Sequence, residues 1–122
     1  MAAVTPDQVA RYADMLAAIG AEPRLRIVRR LLAAHPAGMI AGDIATELEI
    51  TPSTLSHHLD RLKREEVVKV RREGTFLRYT ANAEALEDLL QFLFAECCTR
   101  NCCVSSERFF TQTGHANTET RR

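Results

Sequence analysis

Four amphipathic stretches, two short alternating segments and a last apolar stretch follow one another along this chain of 122 residues. That order predicts a mostly α fold carrying a small β-hairpin wing. Proline in the first helical turn, at Pro6, Pro23 and Pro52, marks three helix starts. A third observation concerns chemistry: all four cysteines, Cys97, Cys98, Cys102 and Cys103, fall within seven positions after the last apolar stretch.

The first helix spans Asp7 to Ile19, with Val9, Tyr12, Ala13, Leu16 and Ile19 at helical spacing behind the start signal Thr5-Pro6, and Gly20 ends it. The second spans Glu22 to Ala34, with Leu25, Ile27, Val28, Leu31 and Leu32 as its apolar side, and His35 to Gly38 form a turn. A short third helix, Ala41 to Leu48, directs Ile44, Ala45 and Leu48 inward. Thr51 is an N-cap and Pro52 the first residue of a fourth helix that runs to about Glu65. Val67 to Arg72 and Thr75 to Thr80 alternate as strands, joined by a turn at Glu73-Gly74. Asn82 starts a long last helix that extends through the first cysteine pair. Residues 1–110 thus read as one domain ending in the cysteine cluster, and residues 111–122, TQTGHANTETRR, as a flexible polar tail.

The formal net charge is zero, so no global field attracts a polyanion. The distribution is uneven, however: Thr51 to Thr80 holds seven basic and four acidic residues, a local excess of three positive charges. The N-terminus has neither a basic start nor an apolar run, and no stretch has the length of a membrane span. A cytoplasmic protein is expected, with no membrane partner. In that compartment clustered thiols serve as ligands or redox groups rather than as structural disulfides.

Helix, short turn, helix and hairpin in this order form a winged helix-turn-helix, which reads double-stranded DNA. The helix that enters the major groove needs small polar groups near its start and an apolar side against the core. Ser53, Thr54, Ser56 and His57 are those polar groups, while Leu55, Leu59 and Leu62 face inward. Hydroxyls pair with either base type, and a histidine donates to purine acceptors. Arg61, Lys63 and Arg64 suit phosphates, and Arg71, Arg72 and Thr75 at the hairpin tip suit the backbone or the minor groove. The bland alternative is a solvated charged helix beside an ordinary hairpin. His57 and His58 diverge by roughly a hundred degrees on a helix, so one faces DNA and the other the body; a metal-binding pair is the competing reading.

The stretches AEPRLRIVRRLL and TPSTLSHHLDRLKREEVVKVRREGTFLRY, within Ala21 to Tyr79, resemble the arsenic- and metal-responsive repressors of the ArsR/SmtB family. The resemblance implies a homodimeric repressor that leaves operator DNA when a toxic ion binds. It implies dimerisation through the first and last helices, here the Val9-to-Ile19 side and the side of Leu86, Leu89, Leu90 and Leu93. A two-fold dimer also suits two half-sites one helical turn apart.

The chain departs from several ligand patterns of that family. AGDIATELEI, where many members carry a cysteine pair, has none; ANAEALEDLLQFLFAE has no histidine for the zinc-type site; and no cysteine lies near the N-terminus. The cluster after the last helix resembles arsenite-responsive members whose thiols follow the dimerisation helix. Trivalent arsenic, or antimony, has a stereochemical lone pair and takes three thiolates in a pyramid. Cys97, Cys98 and Cys102 are the assigned ligands, with Cys103 as the substitute third. Cys98 and Cys102 are four apart and share a helical face. Arg100 lies between the pairs and favours thiolates. Four thiols also admit zinc or cadmium, a methylated arsenical on a dithiol, or oxidation as the signal. A metal-buffering protein would explain the thiols but not the wing. No acid/base pair, activated nucleophile or phosphate loop points to an enzyme.

Overall fold

Each predicted helix is present in the computed structural model, which describes residues 4–95. The first, α1, spans Pro6–Ile19 and opens on a reciprocal cap. Thr5 Oγ1 accepts from the Gln8 amide over 3.2 Å, and Gln8 Oε1 accepts from the Thr5 amide over 3.0 Å. Helix α2 (Glu22–Ala33) follows after Gly20 and Ala21. A two-residue strand, β1 (Met39–Ile40), leads into α3 (Ala41–Leu48). Helix α4 (Pro52–Arg64) is capped by Thr51, whose hydroxyl accepts from the Thr54 amide. Strands β2 (Val68–Glu73) and β3 (Phe76–Ala81) form the hairpin, and α5 (Ala83–Phe94) follows.

Two compact units divide within α5, after Leu86. In the first, α1 contributes Met15 and Ala18 to the core, and α2 contributes Ile27, Val28 and Leu31. Ile44 and Ala45 join them from α3, Leu55, Leu59 and Leu62 from α4, and Val67, Val68, Tyr79 and Ala81 from the hairpin. No polar or charged residue is buried among the described residues. In the second unit Leu89 is buried and Leu93 exposed. No helix among the described residues is long and apolar enough to cross a membrane.

The sheet is three-stranded in the order β1-β3-β2, antiparallel throughout. The sequence predicts only the hairpin. A pair of residues is too short to show alternation, and β1 exists because Met39 and Ile40 find Tyr79 and Arg78 across the sheet. Gly38 makes that approach possible: its φ is +78°, and a Cβ there would collide with the Tyr79 carbonyl. The hairpin turn is also displaced by one residue from the predicted Glu73-Gly74. Glu73 pairs with Phe76, so the two turn residues are Gly74 and Thr75. Gly74, at φ +62°, takes the first central position, where only glycine is at ease.

Two further readings are corrected. Leu25 and Leu32, predicted on the apolar side of α2, are 45% and 41% exposed. They lie roughly a hundred degrees round the helix from the centre of the Ile27, Val28 and Leu31 face. Leu48 is half-buried rather than fully inward. The predicted α1 stripe is not the core face either: Met15 and Ala18, outside it, enter the core, while Tyr12 and Ile19 are half-buried and Val9, Ala13 and Leu16 remain exposed. The continuation of the last helix through the first cysteine pair, the domain end at 110 and the tail at 111–122 lie outside the described residues.

Candidate nucleic-acid interface

The recognition element is α4, and its orientation follows from its leucines. Leu55, Leu59 and Leu62 recur at spacings of four and three and are at most 2% exposed, which anchors one side in the core. Ser53, Thr54, Ser56 and His57 then necessarily stand outside, and all four are exposed. Ser56 and His57 lie three and four positions after Ser53, on the outer side of the helix, and the side chains of all three make no hydrogen bond to another described residue. Thr54 differs, because its hydroxyl accepts from Thr51 Oγ1 over 2.9 Å and so belongs partly to the cap.

The turn that presents α4 is held by backbone alone. Glu49 takes a left-handed conformation at φ 57°, its amide donates to the carbonyls of Ala45 and Thr46, and the Ile50 amide donates to Ala45. This satisfies the carbonyls that end α3 and sets the reading helix at its angle.

The paired histidines separate as the helical geometry requires. His57 is exposed and His58 half-buried. Burial lowers the pKa of His58, and Arg24 and His57 add to the effect by repulsion. Arg24 is a residue that sequence reasoning missed. It stands on the inward side of α2, where its guanidinium donates to the Ala18 carbonyl.

Arg61, Lys63 and Arg64 form no ion pair among the described residues. Their charges are therefore available at the end of α4. Lys69 and Arg72 on β2 are likewise unpaired. Arg71 is not: its Nε donates to Glu73 Oε2 over 3.1 Å, with a second bond from Nη2, while Arg78 Nε reaches Glu73 Oε1 at 2.9 Å. The two guanidiniums, Arg78 foremost, hold the Glu73 carboxyl below the usual carboxylate range. Glu73 was not among the predicted site residues; its place beside two arginines on one face became visible only with the hairpin register.

A cleft of about 200 Å³ separates the wing from the start of α4, and Pro52, Leu55, Ser56, Leu77 and Tyr79 line it. At the hairpin tip Thr75 is exposed, and Phe76 is 58% exposed. Among the described residues no group of three or more His, Cys, Asp or Glu is placed to hold a metal ion. The assigned ligands Cys97, Cys98, Cys102 and Cys103 lie outside the described residues.

Known proteins share this arrangement. Residues 20–71 match the family model of a helix-turn-helix domain. Over 55 residues the chain is 40% identical to the transcriptional repressor SdpR of Bacillus subtilis, a match covering 45% of this chain and 61% of SdpR. The chain thus spans less than two thirds of that relative. The structure of HlyU from Vibrio cholerae is similar at 30% identity and a TM-score of 0.60, over 75% of this chain and 99% of HlyU. A homodimeric winged helix-turn-helix DNA-binding domain from Mycobacterium bovis, a possible ArsR-family regulator, is similar at 26% identity and a TM-score of 0.59. That match covers 86% of this chain and all of the domain (100%). With the helix order, the three-stranded wing and these relatives in agreement, the chain belongs to the ArsR/SmtB family of winged helix-turn-helix transcriptional regulators, which are DNA-binding proteins and not enzymes.

Proposed function

We propose that this regulator is a cytoplasmic repressor that binds double-stranded operator DNA as a homodimer and leaves it when trivalent arsenic, or antimony, is captured by the cysteine cluster. The observation that carries the reading is the position of four thiols, Cys97, Cys98, Cys102 and Cys103, directly after the last helix of a DNA-reading fold. Thiolates are soft ligands that favour thiophilic ions, and three of them match the pyramidal demand of arsenite. Cys97, Cys98 and Cys102 are assigned, with Cys103 able to replace the third.

The DNA contacts divide by chemistry. Ser53, Thr54, Ser56 and His57 face base edges, and Arg61, Lys63 and Arg64 serve the phosphates; at the wing Arg72 and Thr75 serve the backbone or the minor groove, while Arg71, read with them in the sequence, is bonded to Glu73. For the dimer, a second copy covers the exposed stripe of Val9, Ala13 and Leu16 on α1 and the apolar side of α5. Ligation next to α5 then changes the spacing of the two reading heads. A coupling of about 1 to 3 kcal/mol, roughly 5-fold to 150-fold in affinity, empties a marginally occupied operator.

The test is fluorescence anisotropy of the reduced protein on DNA from upstream of its own gene, titrated with arsenite and, in parallel, with zinc, cadmium and an oxidant. Release by arsenite is expected, and Cys97→Ser is expected to bind the same DNA and ignore arsenite. Normal release by that variant removes the assigned site. Release only by zinc, cadmium or oxidation keeps the regulator and replaces its signal. No binding to DNA removes the repressor reading and favours metal buffering.

A further inference from the structure

The wing carries two adjacent arginines that its sequence does not distinguish, and the register of the hairpin sends them to opposite faces. Arg72 pairs across the ladder with Leu77, and Val70 with Tyr79. Directly paired residues share a face, so Arg72 stands on the side where Leu77 and Tyr79 line the cleft against Pro52 and Ser56. Arg71 pairs with Arg78, and Glu73 with Phe76, on the other face. There the Glu73 carboxylate receives Arg71 on one oxygen and Arg78 on the other. Arg78 also donates to the Gly38 carbonyl over 3.4 Å, which ties the cluster to the segment before β1.

Two positive charges sharing one carboxylate leave the trio of Arg71, Glu73 and Arg78 with a net charge of one, already engaged, while Lys69, further from the tip on the same face, stays outside it. Arg72 has no such partner among the described residues. A phosphate that approached Arg71 would meet a guanidinium whose Nε and Nη2 are already bonded to a carboxylate that also repels it; one that approached Arg72 would not. Arg72 is also the ladder partner of Leu77, which lines the cleft against the start of α4, where base edges are met if α4 enters the groove.

We propose that Glu73 is a positioning residue of the wing: by holding Arg71 and Arg78 it withdraws Arg71 from the DNA backbone and leaves Arg72 as the phosphate contact near the wing tip. This rests on the DNA-binding reading above and sharpens it. Its consequence is for specificity, since a freed Arg71 adds a contact that is blind to sequence.

The experiment measures the salt dependence of binding by the full chain, on duplex from upstream of its gene and on a random duplex. Wild type is compared with Glu73→Gln, Arg72→Ala and the double variant Glu73→Gln with Arg71→Ala. Glu73→Gln keeps the shape and removes the charge. It is expected to steepen the slope of log affinity against log salt by about 0.9 for each wing on DNA, the value of one neutralised phosphate. It should also narrow the preference for the upstream sequence. Adding Arg71→Ala should cancel the gain, and Arg72→Ala should flatten the slope by about 0.9 per wing. An unchanged or flatter slope in Glu73→Gln overturns the proposal, above all if its melting temperature falls, because Glu73 then acts only on stability. A gain that persists without Arg71 overturns it as well. Absence of DNA binding by wild type removes the functional reading and the proposal together, whereas wild-type binding with an unresponsive Glu73→Gln removes the proposal alone.

Discussion

Helices α2 and α4 are close in length, at 12 and 13 residues, and each buries three apolar side chains: Ile27, Val28 and Leu31 in one, Leu55, Leu59 and Leu62 in the other. Their outer sides differ. Helix α2 has four arginines, of which Arg24 bonds to the Ala18 carbonyl, Arg26 to Glu22 over 3.4 Å and Arg30 to Glu47. In α4 Arg61, Lys63 and Arg64 have no acidic partner among the described residues. The starts differ too, since Thr51 caps α4 with its side chain while Ala21 offers α2 none. Counting cations would rank α2 as the better polyanion binder. Asking which cations are unspent reverses the order.

The inner sides provide the largest test, because there the two helices should behave alike. Leu31 and Leu62 are both 0% exposed. Truncating either to alanine removes buried methyl groups and leaves a cavity, at a cost of about 2 to 5 kcal/mol. Chemical denaturation of Leu31→Ala and Leu62→Ala should give losses in that range for both. A loss under about 1 kcal/mol at either position, well below that range, would mean that helix is not anchored as described.

On the outer sides the comparison should become unequal. Lys63→Ala combined with Arg64→Ala is expected to weaken binding to specific and random DNA alike. The salt slope should flatten by about 0.9 for each phosphate that is no longer neutralised. Arg26→Ala combined with Arg29→Ala in α2 removes the same formal charge and should leave the slope unchanged. Equal flattening by the two pairs would show that the overall charge, not its placement on α4, governs binding. The cations of α4 also favour its C-terminal dipole, so a loss of a few tenths of a kcal/mol in stability is compatible with either outcome.

Much of this contrast was legible in the sequence. Thr51, Pro52 and the leucine spacing give α4 its start, its inner face and therefore its outer face, all from local chemistry. The cysteine cluster is equally plain as chemistry, although its geometry lies outside the described residues. What local patterns do not encode is pairing between distant segments. Strand β1 depends on Tyr79 and Arg78 some forty positions away and has no periodicity of its own. The one-residue displacement of the turn matters more than its size, because it shifts every cross-strand pair by two positions: the faces are kept, but Glu73 enters the ladder and Arg71 meets Arg78 rather than Phe76. With the turn at Glu73-Gly74, the partnership of Glu73 with Arg71 and Arg78 is invisible. Arg24 is hidden for the opposite reason: an arginine on the inward side of α2 contradicts the apolar pattern until its bond to the Ala18 carbonyl is seen.

The smallest effect lies where the two helices press on one another. His58 of α4 is half-buried and feels Arg24 of α2, and its pKa is lowered first by burial and then by that charge. The unfolded chain, with an ordinary histidine value near 6.5, binds a proton in a pH window where the folded chain does not. His58 therefore costs no stability above that value, and stability falls as the pH drops from about 6.5 toward the lower folded value, then levels off. Glutamine at this position cannot titrate. The difference in unfolding free energy between wild type and His58→Gln should be constant above about pH 7 and should shift against wild type as the pH falls below about 6.5. Arg24→Ala should make that shift smaller without abolishing it, because the repelling charge is gone while the burial remains. A difference that stays flat across the range would separate the two helices electrostatically and leave their contact purely apolar.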